Sequence, residues 1–164
     1  MKKLCILICL SLVLQMFGGC SRKEEDFQDP VNFYYCNNEV VYNSATGVIH
    51  PEIREGAGFY GNLTAFLQAY LLGPKNSDLY TLIPSDVYLV SCEISDDTAT
   101  IVLSKSFEKL SGIDLVTACS ALLLSVYEYA GITTISVSAK DGRLDDKDQF
   151  VLSMDDNVLK DASQ

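Results

Sequence analysis

The chain predicts an α+β fold: a single small domain in which a mainly antiparallel sheet carries two helices packed on one face. Three stretches lead to this expectation. Residues 112–131 have the length and residue types of a helix, and strand-like alternation begins directly after Gly131. Two alternating runs, 86–94 and 98–104, flank the polar turn Ser95-Asp96-Asp97 and read as an antiparallel hairpin. An earlier apolar stripe, 62–72, stops at Gly73-Pro74, where glycine can take the left-handed cap and proline cannot continue a helix.

In chain order, the first element is one the folded domain would not keep. Met1-Lys2-Lys3 is basic, residues 4–17 form an apolar run interrupted only by Ser11 and Gln15, and Phe17-Gly18-Gly19-Cys20 closes it. Residues 1–19 are expected to be a secretory signal. The two glycines before Cys20 resemble a bacterial lipobox: small residues let the backbone enter a peptidase cleft, and the thiol accepts a diacylglycerol. Cys20 is therefore the expected lipid-attachment residue, with chains of the palmitate kind. Stable anchoring takes two or more such chains, which a lipoprotein has.

Loss of Lys2 and Lys3 would take the formal net charge from −10 to −12. So acidic a chain is a poor partner for nucleic acid and for bare anionic lipid, both polyanions. Lipid, not charge, would hold it at the membrane. Residues 20–30 read as an acidic tether, because Ser21 to Pro30 includes only one large apolar residue, Phe27. The ten residues from Ser21 to Pro30 extend at most about 35 Å.

The domain is expected over residues 31–153, large enough to bury a core without disulfides. Val31 to Cys36 is β-branched and aromatic and suits a strand. Asn37-Asn38 offers a turn, Glu39 to Tyr42 a second strand, and 48–54 a short extended piece that Pro51 confines to an edge or bend. Asn62 is a candidate N-cap for a helix whose stripe is Leu63, Phe66, Tyr70, Ala65, Ala69 and Leu72. In the hairpin, Tyr88, Val90, Cys92 and Ile94 share one face, and Ala99, Ile101 and Leu103 face one way on the returning strand.

In the long helix, Leu115, Cys119, Leu122, Val126 and Tyr129 recur at helical steps, widened by Ala118, Ala121 and Leu124. Such a helix is covered on most sides by its own domain. It is too short, and bracketed too closely by Asp114 and Glu128, to span a bilayer. Ile135 and Val137 then mark a strand, Asp141-Gly142 a turn, and 149–153 a last strand before a polar tail, 154–164.

Six cysteines suggest a disulfide set until processing is counted. Cys5 and Cys9 fall in the signal and Cys20 is the lipid site. Cys36, Cys92 and Cys119 remain, an odd number without C-x-x-C spacing, which argues against a disulfide framework and against zinc. A single bridge between two of the three stays open. His50, the only histidine, sits beside Pro51 and reads as a solvated loop residue rather than a general base.

The acids Asp141, Asp145, Asp146, Asp148, Asp155 and Asp156 lack the mid-loop glycine and terminal glutamate of a calcium loop, and read as a solvated turn. No P-loop, G-x-S-x-G or dinucleotide fingerprint is present. The residues thus assign no catalytic, cofactor-binding or metal-binding role. Nine tyrosines and no tryptophan supply amphipathic contact material, with Tyr34, Tyr35, Tyr42, Tyr60, Tyr80 and Tyr88 as candidates for protein contacts.

The ordered set Pro51-Glu-Ile-Arg54, helix, Leu72-Gly73-Pro74, Ile83-Pro84, and Ile94 through Asp97 to Phe107 resembles the GerMN domain family. So do Ala121 through Val137 and Asp141-Gly142. The resemblance spans nearly all of residues 31–152. It implies an exported, often lipid-anchored, non-enzymatic module of bacterial envelopes, with a fold similar to the ring-building modules of secretion and sporulation assemblies.

The expectation is a membrane-anchored envelope lipoprotein that is not an enzyme, needs no cofactor, and binds or scaffolds envelope proteins in sporulation or cell-surface assembly. Homo-oligomerisation through helix-to-sheet contacts is part of it. The alternative is a lipoprotein that binds a small ligand or cell-wall fragment in a concave pocket.

Overall fold

The computed structural model describes residue 27, residues 29–38 and residues 48–155. The signal, Cys20, most of the tether, the Glu39–Tyr42 strand and the polar tail from residue 156 lie outside the described residues. Among the described residues, the order is β1 (Pro30–Asn37), β2 (Ile49–Glu55), α1 (Leu63–Leu71), β3 (Leu79–Tyr80), β4 (Leu89–Ser95), β5 (Thr98–Leu103), a 3₁₀ turn (Lys105–Lys109), α2 (Gly112–Ala130), β6 (Thr134–Ala139) and β7 (Phe150–Ser153).

The α+β class is as expected, but the strands divide between two sheets. One has the order β2-β1-β3 and the other β4-β5-β6-β7. All described pairings are antiparallel except β5 with β6, which run parallel because α2 carries the chain back across the sheet between them. α1 packs against β4, and α2 against β1, β6 and β7, so both helices serve the four-stranded sheet. Ala99, Ile101, Leu103, Ile135 and Val137 turn inward and are buried.

Local chemistry explains the element ends. The Asn62 side chain accepts from the Ala65 amide and caps α1, and Gly131 closes α2 at φ 70°, its amide donating to the Tyr127 carbonyl. At the start of α2, Ser111 makes no side-chain cap bond; instead Asp145 accepts from the Gly112 amide at 2.9 Å. α2 is long and apolar enough to cross a membrane by composition, yet ten of its residues, Leu115 and Ala118–Val126, are buried in the core.

Two expected faces are corrected. In α1 the stripe is completed by buried Leu67, whereas Leu72 lies past the helix end and is 88 % exposed. In β4 an irregularity between Leu89 and Ser91 breaks the alternation: Cys92 and Ile94 stand opposite Ile101 and Ala99, while Tyr88 precedes the strand and is exposed. His50 is half-buried in β2 opposite Tyr35, not in a loop. β2 is an edge strand, as Pro51 requires.

β2 also reverses the usual polarity. Glu52 and Arg54 point inward with Phe33 and are buried, while Ile53 is more than half exposed. Arg54 donates from Nε to Glu52 at 2.5 Å and from Nη2 to the Gly73 carbonyl at 2.8 Å, with its guanidinium 4.5 Å from the Phe33 ring centre. The other Glu52 oxygen accepts from the Lys75 and Asn76 amides at 2.8 and 2.7 Å. The pair thus ties the first sheet to the end of α1, and a buried ion pair survives only when so fully satisfied.

Candidate functional site

A cleft of about 730 Å³ opens where the N-terminal segment enters the domain. One wall is the start of β1, from Asp29 to Asn32; a second is the loop bearing Gly56, Tyr60 and Gly61; the third is the last turn of α2, Glu128 to Ala130. Leu63 and Ile94 add apolar surface. The walls meet because aromatic rings stack beneath them: Phe33 on Phe66 at 4.5 Å and Phe66 on Tyr129 at 4.2 Å, joining β1, α1 and α2.

Hydrogen bonds set the cleft's polar groups. The Tyr129 hydroxyl donates to the Phe59 carbonyl and accepts from the Asn62 amide at 3.2 Å, fixing the loop to α2. Tyr60 donates to Asp29 across the mouth. Glu128 accepts from the Asn32 amide group on one oxygen and from the Tyr34 hydroxyl on the other. Gly56 permits a close chain crossing, since a Cβ there would stand 2.1 Å from the Asp29 carbonyl oxygen.

Burial, the hydrogen bond to Glu128 and the charge of Glu128 together push the Tyr34 phenol up to about 12. The bond to Asp29, then burial, raises Tyr60 as well. Both hydroxyls therefore stay protonated donors at neutral pH. Among the described residues, the lining includes two carboxylates and no Lys or Arg.

Of the tyrosines singled out from the sequence, Tyr34 and Tyr60 hold the carboxylates of this cleft. Tyr35 is buried and donates to the Tyr70 carbonyl at 2.9 Å, Tyr80 and Tyr88 are exposed elsewhere, and Tyr42 lies outside the described residues. Sequence reasoning did not find Asp29, Asn32 or Glu128: Glu128 lies 96 positions beyond Asn32, and the three carry no motif. Glu128 gave one signal, a carboxylate in the last turn of a helix, where a cation is the usual occupant.

Cys36 and Cys119 are free and buried, Cys92 is free and half-buried, and burial pushes the Cys119 thiol up to about 12. They are core residues without a bridge among them. The acids of the 141–148 turn are backbone-shaping: Asp141, Asp145 and Asp146 all have positive φ, and Asp148 pairs with Arg143. Among the described residues, no group of three His, Cys, Asp or Glu side chains is placed to hold a metal ion.

The architecture is that of a small α+β domain with an acid-lined cleft beside its N-terminal entrance. The family model for Germane, described as sporulation and spore germination, matches residues 32–145. The chain belongs to this family of GerMN-type domains. It is similar in fold to the tandem GerMN domains of the sporulation protein GerM from Bacillus subtilis, with a TM-score of 0.58 and 20 % identity over 83 % of this chain and 49 % of that one. It therefore spans about half the length of the tandem pair. The first GerMN domain of the same protein is also similar, with a TM-score of 0.54 and 12 % identity over 70 % of this chain and 85 % of that one. No curated protein gave a match.

Proposed function

We propose that the protein is an exported envelope lipoprotein, anchored through Cys20 on the outer face of the cell membrane, whose GerMN domain binds other envelope proteins without catalysing a reaction. The observation that carries this reading is the open cleft at the tether end, with exposed Tyr60 and Ile94 on its rim. Aromatic and apolar side chains beside hydrogen-bonding groups are the composition of a protein-contact site. The signal features and the Gly18-Gly19-Cys20 junction support the anchor. Family membership supports a place in sporulation or cell-surface assembly, and self-association of the domain belongs to the same reading.

The test is crosslinking in intact cells followed by pull-down, comparing the wild type with Cys20→Ala. The expected result is one envelope protein recovered with the wild type and lost with the variant. An unanchored wild-type chain would refute the lipid site. A chain still at the membrane that crosslinks to nothing would refute the scaffold.

The volume of the cleft favours a second reading, a small-ligand or wall-fragment binder, since about 300–1,000 Å³ is the range of ligand pockets. That reading requires saturable binding of a soluble wall fragment to the purified protein.

A further inference from the structure

We propose that the cleft receives a cationic side chain, a lysine or arginine carried on an extended segment of a partner protein. The inference rests on the interaction-module reading and names the chemistry of its partner. Three features of the cleft converge on a cation.

Asp29 and Glu128 are carboxylates from opposite walls, both on the solvent-exposed surface, and among the described residues no basic side chain lines the space between those walls. Their hydrogen-bond donors are the neutral groups of Tyr60, Asn32 and Tyr34, which orient a carboxylate and leave its charge in place.

The second feature is the helix. The 19-residue α2 ends at the cleft, and the carbonyl end of a helix carries about half a negative charge. Its last turn contains no basic residue and instead places Glu128 against that end. Within the helix alone this arrangement is unfavourable; a bound cation reverses the sign of the interaction.

The third is the form of the walls. Tyr60 is 67 % exposed and presents a ring beside Asp29, while Leu63, Ile94 and Tyr129 supply apolar surface for a methylene stem. An ammonium or guanidinium head with a long aliphatic stem matches both parts. An anionic ligand matches neither, and the net charge of −10 opposes its approach.

The test is a titration of the full-length protein in zwitterionic detergent with acetyl-Lys-Lys-Lys-amide, followed by NMR at Gly61, Ile94 and Ala130. Acetyl-Gln-Gln-Gln-amide and the neutral disaccharide chitobiose are the comparison probes. The expected result is saturable binding of the lysine peptide alone. It should weaken with salt, and its Kd should rise at least tenfold in the double variant Asp29→Asn/Glu128→Gln. Asp148→Asn/Asp155→Asn, which likewise removes two charges but outside the cleft, should leave Kd within twofold. Tyr60→Ala should also weaken binding, and this exposed position spares the core if the double variant does not fold.

Equal loss with Asp148→Asn/Asp155→Asn, equal binding of the glutamine peptide, or no saturation overturns the proposal. Binding of chitobiose at the same residues in place of the peptide overturns it in favour of the small-ligand reading. The crosslinking experiment repeated with the double variant separates the two levels. A partner recovered as before leaves the scaffold standing and sinks the cleft as its site. Lysine peptide bound at the cleft, with no protein crosslinked to wild type, upholds the cation site and sinks the scaffold.

Discussion

Arg54 bears the heaviest electrostatic duty of any single residue in the described core. Its removal leaves Glu52 buried beside Phe33 with no counter-charge and frees the carbonyl of Gly73. Breaking such a pair costs about 3–5 kcal/mol. Arg54→Met should therefore lower the denaturant midpoint steeply, and the double variant Glu52→Gln/Arg54→Met should recover part of the loss. Equal stability of Arg54→Met and wild type would show that the pair contributes nothing. Tyr34 offers a second test at this scale. In Glu128→Gln its phenol should titrate lower than about 12 but still above 10, because burial remains when the carboxylate charge is gone. An NMR titration of the labelled ring reads this directly.

Among the elements, α2 decides most. It lies along the edge of β1 that β3 pairs only at Cys36 and Asn37, and there Ser125 Oγ accepts from the Tyr34 amide at 2.9 Å while donating to the Ala121 carbonyl. Ser125→Ala removes the acceptor and should cost about 1–3 kcal/mol, the penalty of an unpaired backbone amide. A neutral result in thermal melts would mean that water replaces the hydroxyl. At the other end, Gly131 sits at φ 70° with open space where a Cβ would point. Gly131→Ala should cost about 1–2 kcal/mol from backbone strain alone, with no repacking.

At the scale of the whole molecule, the titrating groups define a pH window. Tyr34 and Cys119 have folded values near 12 against ordinary values of 10 and 9. Groups raised on folding contribute stability that is complete below their unfolded values and is lost as pH rises towards the folded ones. Stability should thus fall between about pH 9 and 12. In acid the sign is opposite for Asp86, whose bonds from Lys109 and Ser106 hold its carboxyl below the ordinary 3.8. Its contribution is present above that value and lost as pH falls through the lowered one, and its exposure keeps it small. A denaturation series across pH checks both arms, and an alkaline arm without any loss would contradict the burial of Tyr34 and Cys119.

The sequence by itself determined the α+β class, both helices with their caps at Asn62 and Gly131, the β4–β5 hairpin, the edge position of Pro51 and the family. The structural features follow from short-range physics, because apolar periodicity, capping and turn chemistry act within a few residues and are legible in order; the family follows from the resemblance of the ordered residues. The tertiary structure alone decided the split into two sheets, the parallel β5–β6 pair, the inward Glu52–Arg54 pair and the cleft. Asp29 and Glu128 are 99 positions apart in the sequence. The stacking of Phe33, Phe66 and Tyr129, with the bonds from Asn32 and Tyr34 to Glu128, brings the walls that bear them together, and a contact between distant elements leaves no period in the chain.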